Sequence, residues 1–290
     1  MVSALNFCKT WFRAVDEKFL CFRKLHKRII FTFSVLLFLV LLSVLYSINA
    51  IFSNSTNQDI QKNLDTGTQL FNFINQENSL RLTQTASILA SDFAFREAIA
   101  TEDKNTIVSA LINHRVRFQA SAMFLVSLDN RLIADTMGFT QSASKSPFSD
   151  LLATAENEGT TTAIVLLDGH LYQMVVVPVL APTPIAWLVS GFIIDDQFAT
   201  KLKSLTRLEV SLLTRQDASK QWVLRATTLP MDLSKNLSNA MANVVADQGK
   251  KTVELQLGDS AYLARIPLLS TPTKKMKIVA VLQQSLNEAL

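Results

Sequence analysis

Glycine is scarce in this chain: there are 7 in 290 residues, and the closest pair, Gly249 and Gly258, is nine positions apart. No G-x-G-x-x-G, G-x-x-x-x-G-K or G-x-S-x-G can be written, which excludes the glycine-dependent phosphate loops and the nucleophile elbow. Cysteine is nearly absent: Cys8 and Cys21 both lie near the N-terminus. Everything after them therefore folds without disulfides and offers no thiol to a metal. The three histidines, His26, His114 and His170, show no H-x-x-x-H or H-x-x-E spacing, and no spacing selects a Ser-His-Asp set. We assign no catalytic residue, no metal site and no cofactor, and expect a protein that is not an enzyme. Charged side chains are few, 18% against 49% hydrophobic. That balance excludes a disordered chain and directs the search to a membrane segment.

The net charge of +4 is unevenly spread. Residues 1–28 hold seven basic and two acidic side chains, and the rest of the chain holds 21 and 22. A nucleic-acid binder needs its basic surface on the folded domain, so no nucleic-acid partner is expected. Between Ile29 and Phe52 the sequence IIFTFSVLLFLVLLSVLYSINAIF carries no charge, and none follows until Asp59. Such a run is long enough for a transmembrane helix. A cleaved signal peptide is the rival reading; the leading segment of 28 residues and the length of the apolar run speak for an uncleaved anchor. The basic flank before the span places the N-terminus in the cytoplasm and residues from about 53 outside. Within the tail, Phe7, Trp11, Val15, Phe19 and Phe22 recur at helical spacing among basic residues. This pattern reads as a helix on the inner leaflet or as a flank that only sets topology.

From 53 to 100, Ile60, Leu64, Phe71, Ile74, Leu82, Ala86, Leu89 and Phe93 keep three- and four-residue spacing. One long stalk helix is expected, of the kind that pairs into a homodimer. A shorter helix capped by Asp103 follows, then the period changes to two. Strands are expected at 121–128 and 131–136, a helix begun by Ser146 and Pro147 and stopped by Gly159, and strands at 161–167, 170–180 and 185–194. The order then recurs: a helix near 195–204, strands 207–214 and 221–227, a helix at 231–247, and strands 251–257, 260–269 and 275–284. LLDGHLYQMVVVPVL and LQLGDSAYLARIPLL align, with Tyr172 and Tyr262 in comparable places. The fold class is thus α+β: a transmembrane helix, a stalk helix, and two tandem ββαβββ modules with antiparallel sheets. The expected divisions are a tail 1–28, span 29–52, stalk and connecting helices 53–120, distal module 121–194, proximal module 195–284, and a helix starting in 285–290.

This order of segments resembles the double Cache sensor family, whose members carry a membrane helix, a long stalk helix and two stacked PAS-like modules. Residues 81–99, RLTQTASILASDFAFREAI, resemble the stalk-to-distal segment found ahead of bacterial GGDEF and EAL cyclic-di-GMP modules. The resemblance implies a receptor in the bacterial inner membrane whose periplasmic part senses a small molecule. It would signal to a cytoplasmic output: cyclic-di-GMP turnover, chemotaxis or a histidine kinase. Amino-acid-binding members carry a Tyr/Arg/Trp/Asp constellation; here the distal module's one tryptophan is Trp187, on its last strand. Ser285-Leu-Asn-Glu288 forms a capping box, read as the start of a helix that a second span would continue, or as the remnant of a chain that lost its output domain.

For a ligand, the distal sheet offers Asp135 on its second strand, and His170 and Tyr172 at alternate positions of its fourth. Arg115 and Arg117 precede its first strand. An arginine with a tyrosine suits an anionic or carboxylate ligand; against this, Asp135 with Arg131 can be a solvated strand face and Tyr172 can be core. The proximal module offers Tyr262 and Arg265 and reads better as a spacer. A second function class stays open, a membrane-anchored scaffold that binds another envelope protein.

Overall fold

The period-two stretches of the sequence form two sheets of five antiparallel strands each. The computed structural model describes residues 25–139, 145–216, 219, 221–244, 248–272 and 276–286, without the side chains of 25–28, 45–57, 243 and 248–250. The helix expected in the tail lies outside the described residues; of the helix expected to start in 285–290, Ser285 instead ends a strand, and residues 287–290 lie outside the described set. The chain divides after Gln58 into two units. The described part of the first belongs to helix α1 (Leu25–Ser91), and it exposes Ile29, Phe33, Leu36, Phe38 and Leu42. Among the described residues no helix is long and apolar enough to cross a membrane. The side chains of 45–52, the latter part of the expected span, lie outside the described set.

The second unit, Asp59–Leu290, contains both sheets. After α1 come α2 (Phe93–Ala100), α3 (Lys104–Arg117), β1 (Ala122–Val126), β2 (Leu132–Asp135), α4 (Ser149–Glu158), β3 (Thr161–Leu167), β4 (His170–Leu180) and β5 (Pro184–Ile194). Helix α5 (Asp196–Thr206) leads into β6 (Glu209–Gln216), β7 (Val223–Thr227), α6 (Met231–Ala240), a 3₁₀ turn (Met241–Asn243), β8 (Gln248–Leu257), β9 (Ser260–Pro267) and β10 (Met276–Ser285). The sheets share one order, β2-β1-β5-β4-β3 and β7-β6-β10-β9-β8, so the repeat legible in the sequence is a repeat of topology. The Asp168-Gly169 hairpin turn has φ of 48° and 78°. Positive φ at both central residues is the condition for a tight two-residue turn that matches strand twist, and Asp followed by Gly satisfies it.

Three helix boundaries differ from expectation. The long helix ends at Ser91, because Asp92 takes an extended ψ of 129° and its carboxylate accepts the Phe95 N–H at 3.0 Å, starting a new helix. A local side-chain acceptor here outcompetes continuation of the apolar stripe. Helix α4 begins at Ser149, and Ser146 does not cap it: its Oγ accepts the Phe148 N–H at 3.1 Å, a turn ahead of the helix. Helix α6 stops at Ala240 and tightens into the 3₁₀ turn. Asp103 caps α3 as expected, accepting the Thr106 N–H at 2.8 Å.

Helix α1 supplies side chains to both cores. Ile60, Leu64 and Phe71 are buried with Leu208 just ahead of β6, with Val210, Leu212, Ile278 and Leu282 of the second sheet, and with Leu171 and Ile194 of the first. Leu82, Ala86 and Leu89 are buried with Leu111 of α3 and with Met123, Leu125, Val175 and Leu188 of the first sheet. Arg265 of β9 pairs with Asp65 of α1 and donates from Nε to Thr252 Oγ1 at 3.1 Å, which binds the second sheet to α1. Gln173 of β4, 4% exposed, donates from Nε2 to Ser79 Oγ of α1 at 2.6 Å. A buried amide this well placed ties the first sheet to the same helix.

Candidate ligand-binding site

Strand alternation gives the first sheet two faces. One carries Met123, Leu125, Val175 and Leu188 against α1 and α3. The other carries Phe124, Val126, Leu132, Tyr172, Met174, Val176, Trp187 and Val189, over which α4 lays Leu151, Leu152 and Ala155. This second face is lined by apolar side chains with a few polar groups among them, Asp135, Tyr172 and Trp187, the composition of a small-molecule site.

One corner of that face is aromatic. Phe124 meets Phe148 edge-on at 4.8 Å between centroids and lies 6.1 Å from Phe139, spacings at which rings attract beyond their buried area. Asp135, 4% exposed, pairs in register with Phe124. Its Oδ1 accepts the N–H groups of Met137 at 2.7 Å and Phe139 at 2.9 Å, so the carboxylate organises the loop that brings Phe139 onto Phe124. Trp187, 6% exposed, pairs with Val126, and its indole N–H is buried without a hydrogen-bond partner among the described residues. A buried donor in that condition costs about 1–3 kcal/mol, which a ligand acceptor would recover.

The five expected ligand residues do not converge. Asp135 and Tyr172 share the α4 face, but Asp135 aligns through Phe124 and Val189 with Val176, four residues from Tyr172 along β4. Three strand spacings and four residues put them roughly 20 Å apart. Tyr172 is buried beside Ile193 and Val165; burial, and then the charge of Asp168, push its phenol above the usual value, so it remains a hydrogen-bond donor. His170 is exposed at the start of β4, next to the turn whose Gly169 carbonyl accepts from Arg225 of β7 at 3.0 Å. Arg115 and Arg117 end α3, which packs Ile107 and Leu111 on the opposite face. The sheet therefore separates both arginines from Asp135 and Tyr172. Arg117 is exposed, with its guanidinium 5.9 Å from the Phe118 ring. Beside them His114 lies between Phe95 and Phe118, at 5.7 and 5.9 Å. Burial holds its pKa below the ordinary 6.5, against the pull of Asp92.

Sequence reasoning did not single out Phe124, Phe139 or Phe148. Phe124 was within reach, because the alternation of AMFLV puts it on one face with Ala122 and Val126. Phe139 and Phe148 sit in and beside a loop, where no period marks a face.

The family model described as a double sensory domain of two-component sensor kinases matches residues 57–289. No curated protein sequence matches the chain. Among solved structures, the periplasmic domain of Vibrio cholerae LuxQ is 13% identical with a TM-score of 0.48, covering 78% of this chain and 99% of its own. The ligand-binding domain of the Campylobacter jejuni chemoreceptor Tlp3, in complex with 4-methylisoleucine, is 12% identical with a TM-score of 0.48, covering 82% and 94%. That of the Pseudomonas fluorescens chemoreceptor CtaA, in complex with L-isoleucine, is 11% identical with a TM-score of 0.46, covering 84% and 96%. With its two sheets of one strand order and a family match that runs through both, the chain belongs to the double Cache family of sensory domains.

Proposed function

We propose that this chain is the extracytoplasmic sensing region of a transmembrane receptor. Residues 29–52 anchor it with the N-terminus in the cytoplasm, and a small molecule binds between the first sheet and α4. The observation that carries the reading is that α1 is part of the core of both modules. A ligand that favours one packing of the first sheet on α1 over another shifts that helix, and equal affinity for both would shift nothing. Phe124, Tyr172 and Trp187 line the binding face and Asp135 holds its loop. Because Arg115 and Arg117 lie across the sheet, this face has no cation from α3 for a carboxylate. Its aromatic corner suits an uncharged or amine-bearing ligand. On α1, Phe73, Leu80 and Ile88 are exposed at spacings of seven and eight residues, a stripe that supports the homodimer expected through the stalk.

The test is a thermal-shift screen of the full chain against amines, amino acids, nucleobases and carboxylates. At 100 times its Kd a ligand stabilises the fold by about 2.7 kcal/mol. A hit that Trp187→Phe and Tyr172→Phe weaken supports the reading. A blank on folded protein would move the weight to the scaffold that binds another envelope protein.

A further inference from the structure

Separate from the α4 face, a cavity of about 160 Å³ lies between α1 and α5, the helix that joins the two sheets. That is about five waters' worth of space. One stripe of α1 borders it with Ile74, Asn78, Arg81 and Leu82, and one stripe of α5 with Phe198, Lys201, Leu202 and Leu205. These are the three- and four-residue spacings that put side chains on a single helix face. The floor is the end of strand β5, Phe192 to Ile194, and Gln173, whose amide nitrogen is committed to Ser79.

The lining is chemically one-sided. Each helix contributes one cation, Arg81 or Lys201, and neither cationic side chain makes a hydrogen bond or ion pair among the described residues. No acidic side chain lines the cavity. By contrast, Arg265 of β9, which also faces α1, is paired with Asp65. Two uncommitted cations converging from different helices over an apolar wall form a site for an anion that carries a short apolar part. Arginine offers a carboxylate a planar pair of donors, and lysine a point charge.

We propose that this cavity binds a short-chain carboxylate, bridging α1 and α5, at a site distinct from the α4 face. A carboxylate held between Arg81 and Lys201 links the stalk to the one helix that connects the sheets, so its occupancy acts on the same packing of α1 that the first site acts on. The small volume favours chains of about four carbons over long ones.

The probe is 4,4,4-trifluorobutyrate, followed by ¹⁹F relaxation on the full chain in detergent. The expected result is saturable broadening, weakened at least tenfold by Arg81→Met with Lys201→Met, and at least tenfold for the neutral 4,4,4-trifluorobutanamide. Both side chains are exposed, so the double variant keeps its fold, which its unfolding midpoint verifies. Trp187→Phe and Tyr172→Phe should leave this binding unchanged, which separates it from the α4 site. Absence of saturable binding at millimolar probe, or binding indifferent to both cations, would overturn the proposal. Binding lost in Trp187→Phe but retained in the double cation variant would reassign the probe to the α4 face and overturn it as well.

Discussion

Gly67 offers the sharpest test of how tightly α1 is held. It is buried in the interior of α1 beneath the second sheet, and a Cβ added there would overlap Leu208 Cδ1 and come within 3.2 Å of its Cγ. Leu208 is itself buried among Ile60, Leu64 and Val210, so it has little room to turn away. Two effects of Gly67→Ala oppose each other. Replacing a mid-helix glycine by alanine stabilises by about 1 kcal/mol, whereas forcing a methyl into a filled core costs about 1–3 kcal/mol. Overpacking wins, and a net loss of about 1 kcal/mol is expected, or roughly 2–4 °C in Tm for a folded unit of this size. Urea unfolding of the full chain measures it. Leu208→Ala alone should lose about 2–5 kcal/mol, and the double variant should lose less than the sum by about 1–2 kcal/mol, since the new methyl occupies part of the space vacated. If Gly67→Ala stabilises the protein by the full helix-propensity gain, the close seat of α1 on the second sheet is refuted.

Asp135→Ala removes the acceptor for two N–H groups and should destabilise by about 3 kcal/mol, with Asp135→Asn losing about half of that because an amide oxygen can still accept; chemical denaturation reads both. For His114, burial lowers the folded-state pKa, so the unfolded chain takes up more protons. Stability from the neutral ring is fully present above the unfolded value near 6.5 and falls as the pH drops from there to the lower folded value. His114→Phe should flatten that part of a stability-against-pH curve, and an unchanged slope would count against the buried setting. In intact cells an impermeant maleimide should leave the native Cys8 and Cys21 unlabelled and should label Glu156→Cys, which is exposed on α4; the reverse pattern would contradict the proposed topology.

How far the chain can be read from its residues depends on where the information is local. The strands were legible because alternation and turn residues such as Asp168-Gly169 act within a few positions, and repeating them twice exposed the duplicated topology. The break at Asp92 was hidden because Leu89 and Phe93 keep the apolar stripe going on either side of it, while one carboxylate on the Phe95 N–H decides the boundary. The site was less legible than the fold. Asp135 and Tyr172 do share a face, as alternation implies, but nothing local records that their rows lie far apart along β4. For Arg115 and Arg117 the missing information is the side of the sheet on which α3 packs, which depends on long-range burial of Ile107 and Leu111. The cavity of Arg81 and Lys201 joins residues 120 positions apart, and no periodicity announces it.

Hydrogen exchange on the full chain, with and without the first compound that stabilises it in the ligand screen, tests the central claim most directly. The account predicts slower exchange in α4 and around Tyr172 and Trp187, together with altered exchange in α1 between Ile60 and Leu89. Protection confined to the binding face, with α1 unchanged, would contradict a sensor that acts through its stalk.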